Sequence, residues 1–185
     1  KSKDRFDSYT FPAWGDGCQL TANRLKVQGA GLIKLKMHRP IAGHIKTLTL
    51  KREAGKWYAC FSVETECCPL PASDKDIGID VGLESFAVLS NGDVIENPRH
   101  YRKAQVALRV CQRKVARRKK GSHSRRKAVL LLQKAHNHIK SQRSDFQHKL
   151  SRQLVAKYGL IAVEDLNIKG LSGGMLAKSV NDAAW

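Results

Sequence analysis

The chain has 185 residues, 42% of them hydrophobic, which is enough for a core in one large domain or two small ones. Its 34 lysines and arginines against 16 acids give a formal charge of +18, far from that of a typical soluble enzyme, and this favours a nucleic acid as the partner. No run of about eighteen apolar residues and no signal-peptide segment is present, so we expect an intracellular protein without a membrane span.

Short runs of alternating polar and apolar residues fill the first part of the chain, residues 1–66. This alternation, with a turn at Glu53-Ala54-Gly55, predicts a small antiparallel β-barrel or sheet. Its outward positions are basic and include Lys46 and Arg52. These cations either follow a phosphate backbone or form an ordinary solvated strand surface. The clearest predicted strands are residues 32–37, 45–50 and 56–63.

A linker is predicted at residues 67–75, where Pro69 and Pro71 lack the backbone donor that a strand needs. The second domain, residues 76–185, opens with an apolar strand at 77–81. A second strand turns at Asn91-Gly92, the strongest short hairpin signal, into a third. We therefore expect a three-stranded antiparallel start to this domain.

A basic helical arm follows, because the segment from Arg99 to Arg152 holds eighteen lysines and arginines and a single acid, Asp145. Apolar residues recur at helical spacing on both sides of a break at Gly121-Ser122, which predicts two helices or one interrupted helix. The second helix should end near Gly159, a residue suited to the position after a helix end. The predicted apolar faces are Ala104, Leu108, Cys111 and Val115, then Leu132, Ala135, Ile139, Phe146, Leu150 and Leu154.

Two acids are candidate metal ligands: Asp80 at the end of the first strand of this domain, and Glu164 after the apolar run 160–163. A charge in such a run is costly unless a cation neutralises it. A strand that returns after helices usually lies parallel to an earlier one, so we expect Glu164 beside Asp80. Carboxylates on neighbouring strands can share divalent ions that hold a phosphate and activate water. Mg²⁺ suits these oxygen ligands, and Mn²⁺ is its substitute.

Each acid also has an ordinary structural explanation. Asp80 could cap the turn before Gly82, and Glu164 could be an exposed strand end or a helix cap equivalent to Asp165. Taken singly these explanations weigh about as much as the metal site. The β-β-β-α-β order favours the metal site for the two acids together.

The remaining chemical residues carry less information. The five cysteines include no pair with the spacing of a zinc knuckle, so we expect no zinc site within this chain. Of the tryptophans, Trp14, Trp57 and Trp185 could stack on bases, but the alternation around Trp57 favours a core position for it.

Several motifs in one order resemble transposon-encoded TnpB proteins, relatives of the type V CRISPR effector nucleases. They are Gly78-Ile79-Asp80-Val81-Gly82-Leu83, Asn91-Gly92 through Asn97-Pro98-Arg99, the 113–127 stretch, Arg143-Ser144-Asp145-Phe146-Gln147-His148-Lys149 and Val163-Glu164-Asp165-Leu166. The part before the linker, including Arg39 and Lys46, is similar to the wedge domain of that family, which helps to hold the guide RNA.

The resemblance implies an α/β chain: a wedge-like or OB-like barrel, then an RNase H-like RuvC nuclease domain with Asp80 and Glu164 as its first two catalytic acids. It implies an RNA-guided DNA endonuclease that uses Mg²⁺, with guide RNA and target DNA as partners, in the prokaryotic cytoplasm and near the nucleoid. The family also needs a third acid and a zinc module, which would follow Trp185. Asp182 matches the stretch after the second acid, so we do not expect it to be the third ligand.

Nucleic-acid contacts are expected mainly along the arm, since phosphate is the simplest partner for so many cations. Two other readings stay open: an RNA-guided binding protein without nuclease activity, and, less favoured, an actin-like or sugar-kinase-like ATPase. The predicted contact residues are Arg113, Lys114, Arg117, Arg118, Lys119, Lys120, Arg125, Arg126 and Lys127, with Arg39 and Lys46 in the first part.

Overall fold

A computed structural model describes residues 7–71 and 73–183. The chain divides into two compact units, the first ending at Pro69 and the second beginning at Leu70. Trp185 lies outside the described residues. Within the described ranges, no helix combines the length and apolar character that crossing a bilayer requires.

The first unit contains two three-stranded antiparallel sheets. One has the order β1-β5-β6, and β5 and β6 are joined by a turn in which Ala54 and Gly55 have φ of 49° and 80°. The other has the order β2-β3-β4. The strands are β1 (Ser8–Phe11), β2 (Cys18–Thr21), β3 (Arg24–Val27), β4 (Gly31–Lys34), β5 (His44–Glu53) and β6 (Lys56–Glu64).

The prediction of a closed barrel is wrong, because the strands described in residues 7–71 form two separate sheets. A shared core joins the sheets: Leu48 and Leu25 are almost fully buried, and Phe11 and Cys18 pack with them. The strand predicted at 32–37 is also shorter than expected and ends at Lys34. Alternation correctly predicted Leu48 and Leu50 as inward residues, whereas Leu32 and Ile33 of β4 are exposed. It carries no information on which edges pair.

The second unit is built on a four-stranded sheet of order β10-β7-β8-β9, in which β10 is parallel to β7 and the other pairings are antiparallel. The predicted three-stranded start and parallel return are both confirmed. At the β8–β9 turn Gly92 has a φ of 90°, and the Asp93 amide donates to Asn91 Oδ1 over 3.0 Å. The strands are β7 (Asp76–Val81), β8 (Ser85–Leu89), β9 (Val94–Glu96) and β10 (Leu160–Val163).

Two long helices, α1 (His100–Ala116) and α2 (His123–Lys157), form the predicted hairpin between β9 and β10. Leu108 and Ile139 are buried at its centre, and the other predicted apolar positions are half-buried, so both helical faces are confirmed. Ser122 caps α2 by accepting the Arg125 amide over 3.2 Å. Two short helices follow β10, α3 (Ile168–Leu171) and α4 (Ala177–Ala183).

Gly159 has a different role from the predicted one. Helix α2 ends through Tyr158, whose backbone is extended, and Gly159 is not among the residues with positive φ. A side-chain carbon at residue 159 would collide with the carbonyl oxygen of Ser73. The Gly159 amide also donates to the Lys75 carbonyl over 2.9 Å. The glycine is therefore required by a close backbone approach at the start of β10.

The start of α1 is capped from a distance. Arg99 provides no side-chain cap, and instead the buried Asp182 of α4 accepts the amides of Tyr101 over 2.7 Å and Arg102 over 3.0 Å. Arg143 of α2 also donates to the Asn181 carbonyl. A carboxylate at a helix N-terminus satisfies amides that have no partner within the helix and is favoured by the helix dipole. Asp182 thus joins the segment after Glu164 to the base of the arm.

Replacing Asp182 with alanine is expected to destabilise the second unit by about 2 kcal/mol, since it leaves two helix-end amides without their charged acceptor. Chemical denaturation followed by circular dichroism measures this loss. The control is Asp145→Ala, which removes only the exposed ion pair with Lys149 at 2.7 Å and should cost about 0.5 kcal/mol or less. If both substitutions lower the free energy of unfolding equally, the cap that Asp182 provides contributes no more stability than the exposed ion pair.

Candidate metal and nucleic-acid site

Asp80 lies near the end of β7, and Glu164 directly follows β10, the strand that runs parallel to β7. The register pairs Ala162 with Gly78 and Val163 with Ile79, so Glu164, the next residue, follows at the level of Asp80. Because parallel partners in register project to the same face of a sheet, both carboxylates leave the sheet on one side. Both residues also line one open depression of about 460 Å³, together with Ser90.

Both acids are exposed, so neither charge carries the desolvation cost that the surrounding apolar runs predicted. Among the described residues, no side chain forms a hydrogen bond or an ion pair with either carboxylate. Both charges are therefore open to water at the wall of the same depression. Such a pair of oxygen donors fits a hard divalent cation such as Mg²⁺ or Mn²⁺.

The structure does not support the capping roles. The first helix after Glu164 is capped by Asn167, whose Oδ1 accepts the Gly170 amide over 2.9 Å. At the other strand, Gly82 donates its amide to the Phe86 carbonyl over 3.2 Å, so a backbone bond and not Asp80 orders this turn. Ser90 was missed from the sequence. Its hydroxyl accepts the Gly78 amide over 3.0 Å at the wall of the depression.

A second depression, of about 650 Å³, lies between β9 and α2. Its wall includes His100, whose pKa is lowered by burial, against the opposing effect of the Asp182 charge. Its acid, Asp145, is already paired with Lys149 over 2.7 Å. This depression is larger but has no pair of available carboxylates, so the first one is the better candidate for a metal. Over residues 7–71 and 73–183, no cluster of three or more histidine, cysteine or acidic side chains is placed to share an ion.

Eight of the nine predicted contact residues on the arm are exposed around the tip of the helical hairpin. Arg117, the C-cap residue of α1, begins the exposed run 117–120 that connects the helices. The structure thus collects these cations at one end of the hairpin. They are Arg113, Lys114, Arg117, Arg118, Lys119, Lys120, Arg126 and Lys127.

Arg125 differs from its neighbours. It is half-buried, and its Nη1 donates to the carbonyls of Val115 over 2.8 Å and Arg118 over 2.9 Å. Val115 lies in the last turn of α1, where a cation is favoured by the helix dipole, and Arg118 lies in the segment that connects the helices. Arg125 therefore closes the hairpin turn. Sequence reasoning missed this role because a contact between two helices leaves no periodic signal.

Of the predicted contacts in the first unit, Arg39 is exposed in the bend before β5. Lys46 is exposed as well, but its ammonium forms an ion pair with Glu64 over 2.6 Å. A phosphate would have to compete with this carboxylate. Both residues remain predicted contacts. Among the described residues, no ion pair engages Arg39, so a phosphate could bind it without displacing a carboxylate.

Comparison with known proteins places these features in a family. The model of a family described as "Probable transposase", OrfB_IS605, matches residues 58–174, well over half of the chain and including both acids and the whole arm. The chain belongs to the TnpB family. The match leaves the actin-like and sugar-kinase-like reading without support.

Two curated relatives of this TnpB-family chain are provisionally named as RNA-guided DNA endonucleases. One, from Streptomyces pristinaespiralis, is 40% identical over 141 residues, covering 75% of this chain and 35% of the relative. The other, InsQ from Escherichia coli strain K12, is 28% identical over 173 residues, covering 93% of this chain and 43% of the relative. The chain thus spans less than half the length of either relative.

Proposed function

We propose that the chain is part of an RNA-guided DNA endonuclease that hydrolyses DNA phosphodiester bonds at the Asp80–Glu164 site. The observation that carries this proposal is the register of β10 on β7, which brings two acids 84 positions apart in sequence to the same level and face of one sheet. The relatives' names indicate the reaction class. The strand order, with three antiparallel strands and a parallel return, supports an RNase H-like arrangement.

Asp80 and Glu164 would together hold the divalent ions. When bound, such ions polarise the phosphate and lower the pKa of a coordinated water, so that hydroxide is available at neutral pH. The protein's contribution is to fix the two carboxylates on adjacent strands and to keep other side chains from neutralising them. Ser90 keeps the backbone at Gly78 in place beside Asp80 through its hydrogen bond.

The basic arm would hold the nucleic acid, with guide RNA supplying sequence specificity by base pairing. Its exposed cations neutralise phosphates without reading bases. Arg125, whose guanidinium donates to the carbonyls of Val115 and Arg118, is excluded from this set. In the first unit, which we propose to be wedge-like, Arg39 and Lys46 are the proposed nucleic-acid contacts.

Metal binding to this chain tests the site independently of cleavage. Adding Mn²⁺ should broaden the NMR signals of Ser90 and Ala162, which line the depression, because a paramagnetic ion relaxes nearby nuclei. Asp80→Asn and Glu164→Gln should each abolish this broadening at the same Mn²⁺ concentration. The control is Asp76→Asn, at the other end of β7. Broadening that persists in both site variants would remove these acids from the metal site.

A second candidate is an RNA-guided binding protein without nuclease activity. It is favoured by one observation: in the described part of the chain, only two acids share the depression. The coding frame beyond Trp185 separates the two functions. A further aspartate with paired cysteines favours the nuclease, and an immediate stop codon favours the binding protein.

A further inference from the structure

Two large aromatic side chains of the first unit are exposed. Trp57 is 61% exposed and Tyr9 is 62% exposed, although both lie in strands of the β1-β5-β6 sheet. The sequence prediction that Trp57 is a core residue is therefore wrong. Tyr9 keeps an edge-on contact with Phe11, with the ring centroids 4.8 Å apart, but most of both rings is open to water. This forfeits burial energy, so their position calls for an explanation.

Both rings lie on the face of the sheet that carries the core, but beyond the part that is covered. In register, Leu48 pairs with Phe11 and Phe61, and Leu50 pairs with Tyr9 and Ala59. The next row on the same face is Arg52 opposite Trp57, since side chains two residues apart share a face. Burial falls along these rows, from Leu48 at 0% exposed to Trp57 at 61%.

The arrangement has the chemistry of a stacking surface for unpaired bases. Flat aromatic rings stack on any nucleobase, and a guanidinium beside them adds a planar cation. Arg52 is exposed directly opposite Trp57. The hairpin end, residues 51–56, holds Lys51, Arg52 and Lys56 against one acid, Glu53, which forms an ion pair with Lys51 over 3.7 Å. Asp7, the residue before β1, accepts the Arg52 amide with its carbonyl over 2.7 Å, so one acid and one cation lie at this row and stacking would dominate there.

We propose that Tyr9, Arg52 and Trp57 form a platform on which unpaired bases of a single-stranded RNA stack. The partner is argued from the net charge of +18 and from the excess of cations at the hairpin end. All three residues precede the 58–174 segment that the family model matches. The platform rests on the proposed function, because it assigns the RNA of that function a second point of attachment.

The test measures the affinity of the complete 185-residue chain for a fluorescein-labelled 20-nucleotide oligouridine by fluorescence anisotropy. Trp57→Ala should weaken binding about tenfold, the usual effect of removing one stacked base contact. The slope of log affinity against log salt should stay unchanged, because no phosphate contact is lost. Trp57→Phe should keep most of the affinity, since a smaller ring still stacks. Tyr9→Ala should act in the same direction as Trp57→Ala.

Tyr58→Ala is the matched control. Tyr58 is the next residue, is 39% exposed and points to the opposite face of the same strand, so its loss should change affinity less than twofold. Equal losses for Tyr58 and Trp57, or no loss for Trp57→Ala, would overturn the platform. So would a change in self-association by light scattering without a change in RNA affinity, which would assign the surface to a protein contact.

The two proposals fail in different ways. Neutralising the arm changes the salt slope, whereas removing a platform ring changes affinity at constant slope. If the wild-type chain binds no oligouridine, both the platform and RNA binding by this chain are wrong. If the arm variant weakens binding and Trp57→Ala does not, only the platform is wrong.

Discussion

Asp80→Asn in the complete encoded protein should lower guide-dependent DNA cleavage by about a thousandfold or more. The substitution keeps the shape of the side chain but removes one of the two charges that face the depression. Metal ions in such sites supply several kcal/mol of transition-state stabilisation, and each 1.36 kcal/mol corresponds to about a factor of ten in rate. Cleavage of a labelled DNA duplex at saturating Mg²⁺ measures the loss.

Guide-RNA binding should be unchanged in this variant, since Asp80 contributes no positive charge to any phosphate contact. Asp76→Asn is the control, because Asp76 is an exposed aspartate at the opposite end of the same strand. The Asp76→Asn protein should cleave DNA at the wild-type rate. Cleavage retained by Asp80→Asn would remove this residue from the mechanism. Loss of both cleavage and RNA binding would point to a folding defect, which circular dichroism detects.

Neutralising the tip of the arm, with Arg117, Arg118, Lys119 and Lys120 all changed to glutamine, should weaken duplex DNA binding and flatten its salt dependence. Each phosphate contact contributes about 0.9 to the slope of log affinity against log salt, so losing four contacts lowers the slope by up to about 3.6. Over a fourfold rise in salt, a difference of that size amounts to about a hundredfold in affinity. Titrations at several salt concentrations measure both quantities.

The control for the tip variant removes the same number of charges from the same unit but away from the tip. Lys149, Arg152, Lys169 and Lys178 are all exposed, and changing them to glutamine keeps the net charge equal to that of the tip variant. The tip variant should lose at least ten times more affinity than this control. Equal losses would mean that binding depends on total charge and not on the hairpin tip. Arg125 is kept in both variants because it closes the turn.

Periodicity and local signals were sufficient for much of the second unit. The Asn91-Gly92 turn, the two amphipathic helices and the parallel return follow from short-range patterns and general rules of chain connection. The same reasoning predicted that β10 lies beside β7, but it could not predict the register of the two strands. A shift of one residue would have turned Glu164 to the other face. The exposure of the two acids was not predicted, because an apolar run predicts burial only when a second layer covers it.

Contacts between distant segments were missed. Asp182 caps a helix that begins some eighty residues earlier, and no local motif around it carries this information. Trp57 follows the alternation of a half-buried strand, yet it lies beyond the covered part of the sheet. A glycine at residue 159 is typical of a helix end, but the structure requires it because the Ser73 carbonyl leaves no room for a side chain there. In each case the deciding neighbour comes from another element.

The position of β10 at the edge of its sheet has a consequence for the acid pair. Asp80 is on a strand with ladder partners on both sides, whereas Glu164 follows a strand that is bonded to β7 alone in the described structure. The hydrogen bond from the Gly159 amide to the Lys75 carbonyl holds the start of β10, and the ladder with β7 ends at the Val163–Ile79 pair. Edge strands fray from their free ends. We therefore expect Glu164 to shift more readily than Asp80. If both acids bind one cation, as proposed, that cation would also hold the end of β10 against β7.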